Sequence, residues 1–224
     1  MRDLVVYGAG GLGREVLRIA EDINATRSPS ERSNILGFFD DGIPEGTLFG
    51  RYPVLGGLPR LQSWETPLDV AFGIASPEIK RRLVCALSAN ANLSYPVLRH
   101  PLSSIASDAT LSQGCVIAQF AIVSLDSRLA SFVFLNTGAQ VGHDCRIGKF
   151  VSIMPSVNVS GNVVIGDEAF IGVKATILQG LSVGEGATVG AAGLVVSDVP
   201  AGCTVLGNPA RIVKRREMPE NPEK

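Results

Sequence analysis

One histidine and the aspartate that follows it carry the clearest chemical signal in this sequence. Only two of the 224 residues are histidines, His100 and His143, and His143 is followed directly by Asp144. An imidazole titrates near neutral pH, so it can take a proton from an attacking amine or hydroxyl, and a neighbouring carboxylate can orient the ring. We interpret His143 as a candidate general base and Asp144 as its partner. Two histidines are too few for a metal site that needs three histidine ligands.

A repeat of six residues determines where this pair lies. An aliphatic residue occupies every sixth position from Ile105 to Val195, sixteen times in succession. This period fits neither a helix nor simple strand alternation. It predicts a triangular parallel β-solenoid, in which three hexads form a coil of about 18 residues and the chain makes about five coils. Glycine often follows the aliphatic residue, as at Gly142 and Gly148, and we expect it to allow positive φ at the corners.

The register of the hexads predicts the surroundings of His143. Val141 should point into the coil and His143 outward. Gly161 lies one coil further on, where it would leave room for a thioester over the imidazole and offer its N–H to an oxyanion. Because neighbouring residues of a strand point to opposite faces, Asp144 can orient His143 only if the backbone turns there. A carboxylate from a neighbouring chain is the alternative.

The first 100 residues have the pattern of a small parallel α/β domain. The apolar runs predict, in chain order, a strand over Asp3–Tyr7, a helix after the glycine-rich loop, strands over 35–39 and 69–74, and a helix over 77–89. The loop GAGGLG between strand and helix would let the backbone approach a pyrophosphate at the helix N-terminus. Asp40, at the end of the second strand, suits a ribose or base contact. A unit of this size fits a nucleoside diphosphate better than a dinucleotide.

Composition and charge exclude several classes of function. Twenty basic and 21 acidic side chains give a net charge of −1, which argues against a nucleic-acid partner. No apolar run is long enough to span a membrane, and the sequence starts without a signal peptide, so we expect a cytoplasmic protein. The four cysteines form no CxxC pair and should be reduced thiols. We expect Cys115 and Cys145 in the solenoid core and Cys85 buried on the helix over 77–89.

Five segments together indicate a family. VVYGAGGLGREV, FFDDG, LRHPLSSIASDATL, LNTGAQVGHDCRIG and GNPARIVKR span nearly the whole chain. With these segments the chain resembles the hexapeptide-repeat sugar acetyltransferases, which include N-acetyltransferases of nucleotide-linked 4-amino sugars and sialic acid O-acetyltransferases. The resemblance implies a Rossmann-like nucleotide-sugar-binding domain over 1–100, an all-β left-handed parallel β-helix over 101–216 and a flexible tail over 217–224. It also implies acetyl-CoA as co-substrate, no metal, and a homotrimer with each active site between adjacent solenoids.

The resemblance also assigns roles by position. His143 and Asp144 would be catalytic. The nucleotide-linked amino sugar would contact Gly8, Gly10, Gly11, Leu12, Asp40, Asp41, Ala75 and Asn136. Acetyl-CoA would contact Ser152, Gly161, Val173 and Ala191. Leu12 and Ser152 depart from the family, since relatives often carry a histidine at each of these two positions.

These features predict an acetyl-CoA-dependent N-acetyltransferase that acts on the amine of a nucleotide-linked 4-amino-deoxy sugar by direct transfer. An O-acetyltransferase of sialic acid or a related sugar is the alternative enzyme. A non-catalytic scaffold that binds nucleotide sugars is the alternative outside enzymes. The sequence names neither the nucleotide nor the sugar.

Overall fold

The computed structural model describes residues 2–215, which form an α/β domain followed by a β-solenoid. The predicted tail over 217–224 and the end of the solenoid domain at residue 216 lie outside the described residues. The elements of the first domain are β1 (Asp3–Tyr7), α1 (Gly11–Ala25), a 3₁₀ turn (Pro29–Glu31), β2 (Asn34–Phe39), β3 (Leu48–Phe49), β4 (Tyr52–Pro53), α2 (Leu58–Gln62), β5 (Leu68–Phe72), α3 (Pro77–Leu87) and β6 (Leu93–Ser94).

Four parallel strands form the sheet of the first domain in the order β2-β1-β5-β6, which confirms the predicted fold class. The predicted strand over 69–74 ends earlier, at Phe72, because the next residue must pack against α1. A Cβ on Gly73 would lie 2.2 Å from the Cα of Gly13. The short hairpin of β3 and β4 and the helix α2 were not predicted, since elements of two to five residues carry too little periodicity.

The solenoid has three faces, each a ladder of strands about one coil apart. The first face holds β7 (Leu98–Arg99), β10 (Val116–Ile117), β13 (Phe134–Leu135), β16 (Ser152–Ile153), β19 (Phe170–Ile171), β22 (Thr188–Val189), β24 (Cys203–Leu206) and the antiparallel β25 (Arg211–Arg215). The second holds β8 (Ser104–Ile105), β11 (Ile122–Val123), β14 (Gln140–Val141), β17 (Asn158–Val159), β20 (Thr176–Ile177) and β23 (Leu194–Val195). The third holds β9 (Thr110–Leu111), β12 (Arg128–Leu129), β15 (Arg146–Ile147), β18 (Val164–Ile165) and β21 (Ser182–Val183).

The parallel pairing confirms the predicted solenoid and its register. Val141 pairs with Val123 before it and Val159 after it, each 18 residues away. The aliphatic residues of the hexads fill the interior, and only Ile105 and Leu111, in the first coil, are partly exposed. The left-handed sense of the coils stays a prediction from the family resemblance. The domain boundary at residue 100 also stays a prediction, and β7 lies just before it.

Turns of two residues join the faces and stack into three corners. The His143 corner comprises turns 107–108, 125–126, 143–144, 161–162 and 179–180. The docking corner comprises turns 113–114, 131–132, 149–150, 167–168 and 185–186. The open corner comprises turns 101–102, 119–120, 137–138, 155–156, 173–174 and 191–192.

The predicted reason for the corner glycines is wrong. Gly142 and Gly148 have no positive φ; instead the second residue of the following turn does, as at Asp144 (φ 57°) and Phe150 (φ 62°). The two glycines are required because the next coil lies against them. A Cβ on Gly142 would approach the backbone nitrogen of Gly161 to 2.7 Å.

The first domain packs on the first face and the docking corner of the solenoid. Arg81 of α3 pairs with Glu168 at 2.8 Å, and the ring of Phe132 packs edge-on against those of Phe72 and Tyr95. His100 accepts a hydrogen bond from the backbone N–H of Leu102, and its other ring nitrogen lies 3.3 Å from Asp22 of α1. Among residues 2–215, no helix has the length and apolarity needed to cross a membrane.

Candidate active site

His143 and Asp144 form the turn that leads from β14 to β15. Asp144 adopts φ 57°, so the backbone turns where a regular strand would send the two side chains to opposite faces. The Nδ1 atom of His143 lies 2.8 Å from Oδ2 of Asp144, and both side chains are about half exposed. Because a carboxylate can only accept, Nδ1 donates and Nε2 presents its lone pair. The carboxylate that contacts His143 therefore comes from the same chain and not from a neighbouring one.

Gly161 stacks on His143 as the register predicted, but for a different reason. A Cβ on Gly161 would lie 2.4 Å from Nε2 and 2.5 Å from Cε1 of His143. The missing side chain therefore makes room for the imidazole itself, and the predicted space for a thioester at this point is already filled by the ring. Gly161 holds the imidazole against the wall of the next coil.

Ser127 supports the histidine turn from the inside of the solenoid. Its hydroxyl is fully buried, donates to the carbonyl of Gly142 at 2.6 Å and accepts from the backbone N–H of Cys145 at 3.1 Å. Sequence reasoning missed this residue. The available signal was a hydroxyl in the interior position where other hexads carry alanine or cysteine, such as Ala139.

A cleft of about 770 Å³ lies at the carboxyl edge of the parallel sheet. Four of the predicted substrate residues line it: Gly8, Gly10, Asp40 and Asp41. The cleft opens at the N-terminus of α1, where no described side chain caps the helix and its first turn has no acidic residue. The unpaired N–H groups of such a terminus favour an anion.

Glycines shape the entrance of the cleft in two ways. Gly8 adopts φ 100°, and a Cβ on Gly13 would lie 1.7 Å from the carbonyl oxygen of Gly8, so helix and strand could not meet with any side chain there. Gly10 and Gly11 differ, because a Cβ on either would meet nothing within 4 Å. Packing within the chain does not require these two glycines, and they leave an exposed backbone open to a ligand.

Hydrogen bonds within the chain hold both aspartates of the cleft. Asp40 accepts from the backbone N–H groups of Ala9 and Gly42, each at 2.8 Å, and thereby ties the glycine loop to the end of β2. Asp41 accepts from Tyr7 Oη at 2.5 Å and from the N–H of Leu58 at 2.7 Å. Burial, with the nearby Asp41, raises the pKa of Tyr7, so its hydroxyl remains a donor. Both residues line the cleft, and each carboxylate has more acceptor sites than these hydrogen bonds use.

The helix α3 adds residues to the cleft that sequence reasoning missed. Arg81 and Arg82 line it beside Ile79, and an arginine pair suits phosphate oxygens. Cys85 also lines the cleft and is exposed, so the prediction that it is buried is wrong. Cys115 and Cys145 are buried, as predicted. The sequence could not show that this side of α3 lines a cleft, because a helix face exposed to solvent carries the same kinds of polar residues.

The remaining predicted substrate residues lie outside this cleft. Gly11 is exposed beside it, whereas Leu12 and Ala75 are half-buried against the hydrophobic core. Asn136 lines a smaller cavity of about 140 Å³ between α1 and the solenoid, next to the open corner. In this chain the structure therefore brings together only part of the predicted set.

The four residues predicted to contact acetyl-CoA occupy three places. Val173 and Ala191 are exposed and stack on the open corner, 18 residues apart. Gly161 lies on the His143 corner. Ser152 is fully buried under α3 and accepts a hydrogen bond from Lys80 Nζ at 3.3 Å, so it is inaccessible to a coenzyme in this fold. This prediction is wrong because α3 covers the first face at that strand.

No group of three or more histidine, cysteine or acidic side chains among residues 2–215 is arranged to hold a metal ion.

Three family models match parts of the chain. The PglD N-terminal domain matches residues 3–87. The bacterial transferase hexapeptide model, with six repeats, matches residues 144–179, and the hexapeptide repeat of succinyl-transferase matches residues 162–198. A comparison with curated protein sequences gives no match.

Solved structures resemble the chain over nearly its full length. The acetyltransferase domain of PglB from Neisseria gonorrhoeae FA1090 in complex with acetyl coenzyme A is 35% identical, with a TM-score of 0.84 over 95% of this chain and 99% of that chain. WeeI from Acinetobacter baumannii AYE is 32% identical, with a TM-score of 0.85 over 95% of this chain and 100% of that chain. PerB from Caulobacter crescentus in complex with CoA and GDP-perosamine is 26% identical, with a TM-score of 0.83 over 96% of this chain and 98% of that chain.

Proposed function

Since the chain belongs to the hexapeptide-repeat sugar acetyltransferases with a PglD-type N-terminal domain, we propose that it transfers the acetyl group of acetyl-CoA to the amine of a nucleotide-linked 4-amino-deoxy sugar. His143 is the general base of this proposal. The observation that carries it is the pairing of His143 Nδ1 with Asp144 at 2.8 Å, which leaves Nε2 free to accept a proton at an exposed corner.

The proton path follows from the geometry of the turn. Nε2 of His143 accepts a proton from the amine as the amine attacks the thioester carbonyl, and Asp144 stabilises the imidazolium through Nδ1. A backbone N–H near Gly161 serves the oxyanion. His143 then returns the proton to the leaving thiolate, so no covalent intermediate forms on the protein. PglB, a relative, is described in complex with acetyl coenzyme A, and PerB with CoA and GDP-perosamine.

The active site of this proposal lies between two copies of the chain. The nucleotide cleft lies beside the docking corner, because Arg81 lines the cleft and pairs with Glu168. His143 lies on a different corner, and the exposed Val173 and Ala191 lie on the third. One copy would thus supply the nucleotide cleft and another the base, which favours the homotrimer that the resemblance implies. Light scattering tests this assembly, and a fully active monomer would refute it.

Release of free CoA thiol from acetyl-CoA tests the reaction. UDP-, dTDP- and GDP-linked 4-amino sugars are offered in parallel with free and CMP-linked sialic acid. Rapid release with one amino sugar supports N-acetylation and identifies the nucleotide. Release only with sialic acid identifies an O-acetyltransferase, and release with none, despite nucleotide binding, identifies a binding scaffold.

Labelling of Cys85 tests nucleotide binding without catalysis. Of the four cysteines only Cys85 is exposed, and it lines the cleft. The nucleotide that the enzyme uses should slow maleimide labelling of Cys85, while acetyl-CoA alone should not. Equal rates of labelling with and without saturating nucleotide would mean that the nucleotide does not bind in this cleft.

A further inference from the structure

The helix α1 connects the nucleotide cleft with the smaller cavity beside the open corner. Gly11, Glu15, Arg18 and Asp22 follow one another at intervals of three or four residues and therefore share one side of the helix. Gly11 lies at the exposed N-terminal end of this stripe, and the other three residues line the cavity of about 140 Å³. Glu15 is one helical turn, about 6 Å, from the glycine loop. A sugar joined to a diphosphate at that loop would reach Glu15.

Among the polar residues that line the cavity, Asn136 has a donor and Glu15 an acceptor whose hydrogen-bonding capacity is not used within the described residues. Asn136 is 7% exposed, and its Oδ1 accepts from the backbone N–H of Thr137 at 2.7 Å. Its amide Nδ2 has no hydrogen-bond partner among residues 2–215. Glu15 is exposed, and its carboxylate has no ion pair or hydrogen bond there either, whereas Arg18 pairs with Asp22 at 3.0 Å.

The wall of the cavity completes a site for a small ring. Phe134, Ile19 and Ala118 supply an apolar surface beside the polar groups. An apolar surface flanked by one acceptor-only and one donor group matches a pyranose, which has a C–H face and polar substituents at its edge. The cavity is much smaller than the cleft, about 140 Å³ against about 770 Å³, so it suits one sugar ring and not a nucleoside.

We propose that Glu15 is a specificity-determining residue that accepts a hydrogen bond from an amine or hydroxyl of the substrate's sugar ring in this cavity. This inference rests on the proposed function, because it needs a sugar that is linked to a nucleotide in the cleft. It adds a contact on α1, at a position that sequence reasoning did not single out. The diphosphate would bind at the start of α1 and the sugar one turn further along.

The test separates binding of the sugar from binding of the nucleotide. Calorimetry measures the affinity of the wild type, Glu15→Gln and Glu15→Asp for each nucleoside diphosphate and for the same nucleotide linked to its 4-amino sugar. Glu15→Gln should weaken binding of the nucleotide sugar about tenfold, the effect of losing a hydrogen bond to a charged group, and leave the free nucleotide unchanged. Glu15→Asp should recover part of the loss. Glu65→Gln removes an equal charge from an exposed position outside both cavities and should change neither affinity.

Two outcomes overturn the role of Glu15. Equal affinities for the nucleotide sugar in the wild type and Glu15→Gln would mean that the carboxylate touches no sugar group. An equal loss for the nucleotide sugar and the free nucleotide would place the effect at the phosphates instead. Failure of the proposed reaction would show differently, as absence of CoA release in the wild type with every amino sugar, and the binding comparison would still decide on Glu15.

Discussion

The cleft at the carboxyl edge of the sheet and the His143 corner are built in opposite ways. In the cleft, different elements meet once: Gly13 contacts Gly8, and Asp41 links Tyr7 to α2. At the corner, one turn is repeated every 18 residues, and the first residue of the turn changes along the stack, as at Ser107, Leu125 and His143, while the turn itself is kept. A cleft assembled from unlike parts depends on the packing of its domain, whereas a repeated corner can change one side chain without altering the fold. Substitutions in the two regions should therefore have different consequences.

The largest effect should come from the corner and should affect activity alone. His143→Ala removes the proposed base, so turnover should fall at least about 10²-fold. The melting temperature should change little because the side chain is about half exposed. Ser107→Ala, on the same corner two coils away, is the matched control and should keep full activity. A loss below tenfold would mean that another group takes the proton or that the amine arrives neutral.

Substitution of the glycines of the cleft should separate stability from nucleotide binding. A Cβ at Gly13 would overlap the carbonyl of Gly8, so Gly13→Ala should destabilise the first domain by about 1–3 kcal/mol or more. Gly10→Ala should leave stability unchanged, since its φ of −67° suits alanine and the Cβ meets nothing. It should weaken nucleotide binding about tenfold, because the methyl group would stand where the phosphates approach the backbone. Thermal melts and nucleotide titrations measure the two effects. Equal destabilisation by both variants would contradict the proposed difference between a packing glycine at 13 and a ligand-facing glycine at 10.

The second substitution at the corner tests whether stacking positions the base. In Gly161→Ala the new methyl group would lie about 2.4 Å from Nε2, so the exposed imidazole must swing away from its place. Turnover should fall about tenfold or more while the stability stays close to that of the wild type. The double variant His143→Ala/Gly161→Ala should be no slower than His143→Ala, because both changes act on one ring. If the losses of turnover in the two single variants added up in the double variant, Gly161 would have a role that does not depend on the imidazole.

The last effect concerns stability, and not activity, at the contact between the first domain and the solenoid. Lys80 lies on the side of α3 that faces the solenoid and is buried there, and this burial lowers its pKa from 10.5 to about 7. The unfolded chain therefore binds more protons than the folded one between about pH 7 and pH 10.5, and the stability of the wild type should rise with pH across this window.

Lys80→Met removes this dependence. The variant should be more stable than the wild type at pH 6, where Lys80 is protonated in both states and its charge is buried in the folded one. The advantage should shrink by about 1 kcal/mol per pH unit above pH 7. Urea unfolding at pH 6, 8 and 9.5 measures the difference, with the exposed Lys149→Met as control. A gain that stayed constant with pH would mean that lost packing or hydrogen bonding, and not charge burial, separates the two proteins.

The sequence was most informative where structure repeats. Period six predicted the coil, the inward position of Val141 and the stacking of Gly161 on His143, because one residue per coil occupies the same place on every rung. The glycine loop predicted the strand and the helix on either side of it, since Gly8 and Gly13 permit a close approach that other residues forbid. These inferences need only local geometry and a fixed repeat.

The tertiary structure alone decided which surfaces meet. All three faces of the solenoid share one repeat, so the period could not tell that the first domain covers the first face and buries Ser152 under Lys80. The outward residues of that face, such as Val116 and Phe134, are more apolar than Gln140 on the second face. This difference was the feature of the sequence that could have indicated which face the first domain covers. The exposure of Cys85 and the separation of the cleft from His143 likewise depend on how two independently patterned units dock, which no local pattern encodes.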